Sequence, residues 1–393
     1  MARGQIKVCP DRDGVSLDSR RFSLGELEAL GYVTLGRGKV ISKEDIKSTP
    51  GEYPVYSSSA VGSGEIGRYG LFMFDDERIT WSIDGGGRLF YRPKHRYSVT
   101  NVCGWLKVNT PDISTRYLHL YLTARWQRLI FDYTYKAHPS VIRNAYKNLS
   151  FPDVQEQTRI ASFFDKLEEV VAGRKSQLET LSNLVKSRFV EMFGTPSEIF
   201  SRWQTAKLGE IAFITKLAGF EYSKYIKYKD HGDIIMIRGL NCKKTHLVLD
   251  DIYWIDQETS DLLPRSKLSK GDLVFTYVGT VGEVAVVDRD RAYHLAPNVA
   301  KIELNDKREN NPYFYAHLLI YLREYVLKFA ATTTQSALSM ERIRKIPLPV
   351  PSASLQCEFA AFVAKVDKLA FAVRKSLETA EKLYRQQLSE AIS

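Results

Sequence analysis

The chain has 393 residues, a formal net charge of +10 and a pI near 9.2; 44% of its residues are apolar and 12% aromatic. That length and composition suit two or three domains with real cores and exclude an intrinsically disordered chain. The charge points to a polyanionic partner, nucleic acid first, with a basic soluble protein lacking such a partner as the plainer alternative. No apolar run nears the roughly 18 residues of a membrane span, and the polar N-terminus has no signal-peptide core. Cys9, Cys103, Cys242 and Cys357 lie far apart, which suits a reducing cytoplasm and supplies no converging metal ligands.

Residues 1–22 are polar and pattern-poor and read as an N-terminal extension. Over 23–150, short apolar runs alternate with Gly, Pro, Ser and Asp turns, and 71–74, 79–81 and 89–91 are expected strands. The apolar spacing over 117–131 predicts the one helix there. Residues 151–194 change character: Asp153 and Glu156 form a capping box. Ile160, Phe164, Leu167, Val171, Leu178, Leu181, Val185 and Met192 then trace one helical face, with Arg174 in its gap. Gly194 and Pro196 are stop signals. About 38 residues at 1.5 Å each make a rod of roughly 55–60 Å. Residues 195–350 return to the strand-rich pattern, with strands expected at 233–237, 273–277, 283–287 and 299–304 and a helix at 313–327. In 351–393 a second rod follows. Its seam of Phe359, Phe362, Val366, Val373, Leu377, Ala380, Tyr384, Leu388 and Ala391 recurs near every 3.5 residues, the period of a coiled coil.

The second half repeats the first. Leu24-Gly25-Glu26-Leu27 returns as Leu208-Gly209-Glu210-Ile211, displaced by 184 residues, and the segment from Ile79 returns from Leu273, displaced by 194. Asn101-Val102 matches Asn298-Val299, and Leu149 to Pro152 matches Ile346 to Pro349, both displaced by 197; Gln157 matches Gln356, displaced by 199. The expected fold class is therefore α+β. Two mixed, strand-rich domains are separated by two long helices, which can bury their seams on each other only as an antiparallel coiled coil. An internal pseudo-two-fold relates the halves. Such symmetry on a basic chain matches that of duplex DNA, as in dimeric readers of paired half-sites.

Catalytic strings are weak. Gly62-Ser63-Gly64-Glu65-Ile66-Gly67 fits GxGxxG but lies among turns. Asn310-Asn311-Pro312-Tyr313 lacks the second proline of an adenine-methyltransferase box and precedes a helix, as a cap would. No metal site and no cofactor site is expected. The candidate DNA contacts are loop cations, hydroxyls and amides that can anchor phosphates or read bases. In the first domain they are Arg37, Lys39, Tyr56, Ser57, Ser58, Arg68, Arg88, Lys94, Lys136, His138, Arg143 and Lys147. In the second they are Lys216, Arg238, Lys243, Lys244, Thr332, Thr333, Thr334, Gln335, Ser336, Arg342 and Arg344. For any one of them a solvated surface role is the alternative.

The chain resembles the DNA-specificity (S) subunits of type I restriction–modification enzymes. The resemblance is carried by the segment from Ile79 to Arg92 with Thr100 to Gly104, by the segment from Gly271 to Glu283 with Asn298 to Ala300, and by the starts of both long helices. It implies two target-recognition domains, 23–150 and 195–350, reading a split DNA target, and two spacer helices that dock two copies of the modification (methyltransferase) subunit. A restriction subunit completes the complex. It implies a non-catalytic chain in the cytoplasm, with S-adenosylmethionine and ATP/Mg on the partner subunits. The start of the second helix, 352–359, departs by lacking the Glu–Gln pair of 156–157. A stand-alone two-headed DNA-binding regulator is the alternative; a chain with methyltransferase activity of its own is a further one.

Overall fold

The structure is a computed structural model that describes residues 20–58, 62–84, 88–126, 129, 136–328 and 337–390; the expected extension over 1–22 lies almost wholly outside them. Two compact units divide the chain. One takes the residues up to Lys175 together with those from Lys375 onward, and the other takes Ser176–Arg374.

The first unit opens with helix α1 (Leu24–Ala29), capped by Ser23 and Glu26 in a reciprocal capping box, then strand β1 (Val33–Arg37) and α2 (Lys43–Ser48). Strands β2 (Tyr53–Tyr56), β3 (Glu65–Tyr69), β4 (Arg78–Ser82), β5 (Leu89–Arg92), β6 (Ser98–Val99) and β7 (Cys103–Val108) follow. Helices α3 (Thr115–Trp126), α4 (Pro139–Ala145) and α5 (Val154–Phe193), the last continuing into the second unit, complete the run. The core sheet has the order β1-β7-β4-β5, and a small sheet has the order β3-β2-β6. Trp81, Ile79, Leu106, Tyr117, Leu118 and Phe164 share the main core of this unit.

In the second unit come α6 (Ile199–Arg202), β8 (Thr205–Lys207), α7 (Leu208–Ile211), β9 (Ala212–Lys216), α8 (Gly219–Tyr225) and β10 (Ile234–Ile237). A short hairpin, β11 (Cys242–Lys243) and β12 (His246–Leu247), precedes β13 (Tyr253–Ile255), α9 (Gln257–Asp261) and β14 (Lys267–Leu268). Then come β15 (Leu273–Thr276), β16 (Val284–Val286), β17 (Tyr293–Leu295) and β18 (Val299–Leu304). Helices α10 (Pro312–Tyr321), α11 (Arg323–Lys328) and α12 (Met340–Lys345), strand β19 (Pro347–Pro349) and α13 (Ala353–Glu390) close the chain. The core sheet is β16-β15-β18-β9, the order of the first unit read from its other edge, and a second sheet runs β13-β10-β17-β14.

The small sheets repeat too. Strand β2 pairs antiparallel with β3 and parallel with β6; β10 pairs antiparallel with β13 and parallel with β17. Thr100 donates its N–H to Tyr56 as Ala296 does to Ile237. This fixes the register between the copies. It also corrects two sequence matches. Ile83 donates to Val102 and Tyr277 to Asn298, so Val102, not Asn101, corresponds to Asn298. Pro152 corresponds to Pro351, not Pro349, because Gln157 and Gln356 donate to these two carbonyls.

Those two glutamines join each long helix to its head, and both are fully buried. Gln157 Oε1 accepts from Ser114 N–H at 2.8 Å, and its Nε2 donates to Asp112 and Pro152 carbonyls at 2.9 and 2.8 Å. Gln356 Oε1 accepts from Asn311 N–H at 2.9 Å, and its Nε2 donates to Glu309 and Pro351 at 3.1 and 2.8 Å. The missing Glu–Gln pair at the second helix therefore costs the latch nothing. At the first, only half the expected capping box exists: Asp153 accepts from Glu156 N–H, while the Glu156 carboxylate turns to Arg159.

The helices run antiparallel within each unit. In the first, Phe164 and Glu168 of α5 meet Tyr384 of α13, and Lys175 meets Glu381. In the second, Arg188 meets Glu358 and Phe189 meets Phe359. Along α13, Phe359, Val363, Val366, Ala370, Ala380 and Leu388 are buried. Val363 thus fills the heptad position where the sequence reading placed Phe362, and Ala370 fills one that it left out. The expected strand at 71–74 is not one: Leu71 and Phe72 are exposed and only Phe74 forms a bridge, to Tyr97. The helix expected at 313–327 is two, broken at Leu322.

Candidate nucleic-acid interface

In each head, three chain segments meet at the same end of the core sheet. The first strand ends in a cation, Arg37 or Lys216, opposite Gly104 or Ala300 in the same register. The turn after β4 in one head and β15 in the other lies beside it. A segment leading into the short helix α4 or α12 closes the third side: Ala137 donates to Ile83 in one head and Leu338 to Tyr277 in the other. In head one these segments enclose a cleft of about 370 Å³ lined by Arg37, Asp84, Lys136, His138 and Ser140. Arg37 is tied there by two bonds to the Asn101 carbonyl, at 3.1 and 2.8 Å. Lys136, at φ +50°, pairs with Asp84 at 2.6 Å. Lys216 of head two lies over the Tyr277 ring, 5.4 Å from its centre.

The loop between the antiparallel strands of the small sheet is the second shared place. In head one it follows Tyr56 and holds Ser57, Ser58 and the Gly62-Ser63-Gly64 turn; the GxGxxG string thus runs into strand β3 and not into a helix as a dinucleotide loop would. Ser57 shares a hydroxyl hydrogen bond with Thr100 at 2.8 Å. In head two the loop holds the β11–β12 hairpin with Lys243 and Lys244, both exposed and, among the described residues, paired with no carboxylate. The candidates of both sequence lists fall here: Ser57 and Ser58 in one copy, Arg238, Lys243 and Lys244 in the other.

Other candidates are held by the protein itself. Tyr56 is buried, its hydroxyl on His95 Nε2 at 3.1 Å and its ring under Arg92, and burial pushes its pKa up. Arg143 pairs with Glu28 and lies over Gly25; Arg344 lies over Gly209 and donates to the Ile214 carbonyl at 2.8 Å. The two arginines thus occupy the same place, where the missing glycine side chain lets them pass. His138 and Ser339 are the N-caps of α4 and α12. Arg238 is bound to Asp251 and lies over Tyr253. Arg68 bonds Glu52 and Glu65, and Arg88 bonds the Gly62 carbonyl. Lys39, Lys94 and Lys147 are exposed, and Arg342 sits on α12. Thr332, Thr333, Thr334, Gln335 and Ser336 lie outside the described residues. Asn311, in the methyltransferase-like string, caps α10 by accepting from Tyr313 and Phe314. The buried glutamine latches escaped the functional reading; a glutamine five residues after a proline in both copies was their signal.

The model of the type I restriction modification DNA specificity domain matches this chain twice, over residues 21–180 and 201–381. The chain belongs to that family. A type I specificity subunit sequence from Mycoplasma pneumoniae is 27% identical over 336 residues, spanning 83% of this chain and 84% of the relative. The specificity subunit of the type I restriction enzyme MpnII of the same organism is 34% identical over 161 residues, 38% of this chain and 48% of that one. The fold is that of the S subunit of a type I restriction–modification system from M. genitalium, with a TM-score of 0.63 at 16% identity, covering 94% of this chain and 95% of that one. The α+β class with two repeated strand-rich domains and long helices stands as expected. Among the described residues no helix is long and apolar enough to cross a membrane.

Proposed function

We propose that this chain is the specificity subunit of a type I restriction–modification complex and reads a split duplex-DNA target, one half with each head. The observation that carries this is the duplicated frame with two loop clusters at matching places, one cationic strand end and one polar loop per head. Frames of one sheet order with different loops suit two half-sites of different sequence. The chain itself does no chemistry: S-adenosylmethionine belongs to the modification subunit, which methylates adenine, and ATP with Mg to the restriction subunit.

The long helices offer docking places, two of them for modification subunits. Phe163 and Val170 on α5 and Leu369 and Phe371 on α13 are exposed. Apolar side chains left in water on a spacer helix support a protein partner over a stand-alone regulator. The test is to express the chain with the modification subunit of its own genome and map adenine methylation on that DNA. One split motif, methylated only with both chains present, is expected. No complex between the two chains would favour the regulator.

A further inference from the structure

We propose that His246 is a positioning residue for DNA binding by head two, clasping the Lys243–Lys244 turn to the long helix α13 through Asp367. The proposal rests on the reading that this hairpin meets DNA.

The hairpin turns on Lys244 and Thr245, both left-handed at φ +46° and +73°. Two non-glycine residues in that region are strained, so something must hold them. Thr245 is buried and bonded on both sides to the core sheet: its N–H donates to Val284 at 2.9 Å, and its carbonyl accepts from Val286 at 3.0 Å. His246 supplies the rest. Its Nδ1 faces the Lys244 carbonyl at 2.9 Å, and its Nε2 faces Asp367 Oδ2 at 3.3 Å. Two acceptors at the two ring nitrogens suit an imidazolium, which donates from both. Lys243 and Lys244, the cations this clasp would aim, are exposed.

In the first unit the matching carboxylate meets a permanent cation, brought by helix α3 and not by the loop of the small sheet. In the register set by the two glutamine latches, Glu168 of α5 stands where Asp367 stands on α13. Glu168 takes Arg116 at 2.7 Å and the Tyr384 hydroxyl at 2.9 Å. Arginine keeps its charge at every physiological pH; histidine does not.

The clasp of head two is therefore proton-dependent. The Asp367 hydrogen bond holds the His246 pKa above its ordinary 6.5. A raised pKa means that the clasp is complete below the ordinary value and is lost as pH rises through the raised one. Arg374 on α13 opposes the charge, and Asp367 outweighs it. His317 of α10 is half-buried, and desolvation pushes its pKa down to about 4, so it stays neutral over this range. Strand β16, which backs the turn, carries no charged residue.

The experiment is fluorescence anisotropy of a labelled duplex carrying the motif mapped by methylation, titrated with the chain in complex with its modification subunit from about pH 6 to about pH 8.5. Wild type should lose affinity over that range by about fivefold, the scale of an exposed ion pair. H246A should bind about fivefold more weakly at the low end and show a flatter profile. H246R, which puts a permanent cation at this place, should keep the low-pH affinity throughout. Equal pH dependence in wild type and H246A overturns the clasp, as does an H246R profile that still falls. The double variant K243A/K244A separates the two ideas. If it binds like wild type, the hairpin does not meet DNA and the underlying reading of this loop fails. If it weakens binding while H246A matches wild type, the reading stands and the clasp is wrong.

Discussion

The two heads differ by insertion, not by plan. Both carry a four-stranded antiparallel core sheet of one order, and both insert a small sheet at the same two points of the frame, whose central strand pairs parallel with the returning strand. Head one spends little chain there and builds three strands; head two builds four strands and the extra β11–β12 hairpin. The difference shows where change is tolerated. The frame buries its side chains on both faces: β4 and β15 are buried along their whole length. The inserted loops lie outside the frame and can vary without disturbing it. A protein that must keep one fold and change its target would vary there.

The comparison breaks hardest at the glutamine latches, if they are not equivalent. Gln157→Ala strips three hydrogen bonds from a buried site and leaves two carbonyls and one N–H unpaired. Such a loss should cost roughly 3 kcal/mol or more. Gln356→Ala removes the same three bonds and should cost about as much. Hydrogen exchange resolved by segment should show faster opening of α3 and the start of α5 in the first variant, and of α10 and the start of α13 in the second. A large effect in one copy only would show that the latches are not the same device.

A second, smaller contrast concerns volume. Trp81 lies across from Gly104 in head one, while Phe275 lies across from Ala300 in head two. The glycine is required by the ring: a Cβ at Gly104 would stand 2.3 Å from Trp81 Cε2. Gly104→Ala should therefore destabilise head one by about 1–3 kcal/mol through overpacking. Adding Trp81→Phe copies the pair of head two and should recover part of the loss, although it gives up the Trp81 bond to the Ala137 carbonyl at 2.7 Å. Urea midpoints of the two single variants and the double one measure the coupling; strict additivity would show that the two positions do not trade volume.

Much of this plan was legible because it is written in periods. The heptad spacing of Val366, Val373, Ala380 and their neighbours survives any detail of packing, and the core strands carry apolar residues at alternate positions, Ile79 and Trp81 in one and Ala300, Ile302 and Leu304 in the other. Sheet order was not legible, since pairing joins residues far apart, and a one-residue slip at Asn101 left no mark in the composition. The candidate site was legible as loops and not as side chains. Arg143, Arg344 and Arg238 look like free cations in sequence; their partners Glu28, the Ile214 carbonyl and Asp251 are brought to them only by the fold. Tyr56 reads as a loop aromatic, yet it ends a strand whose next neighbour, Thr100, returns from far along the chain.

The smallest expected effect tests whether the two strand ends do the same work on DNA. Arg37 and Lys216 occupy one place in the frame, and each would neutralise about one phosphate if the duplex crosses that end of the sheet. Arg37→Ala and Lys216→Ala should then each weaken binding by about 1 kcal/mol and lower the slope of log affinity against log salt by about 1. Arg37 also secures the Asn101 carbonyl, so its loss can act by freeing that turn as well as by removing a charge. Arg37→Lys separates the two, because it keeps the charge and loses the paired bonds. A preserved salt slope in Arg37→Lys with a reduced one in Arg37→Ala assigns the effect to a phosphate. Unchanged slopes in both alanine variants would move the DNA off the core sheets and onto the small-sheet loops, where Ser57 and Lys243 lie.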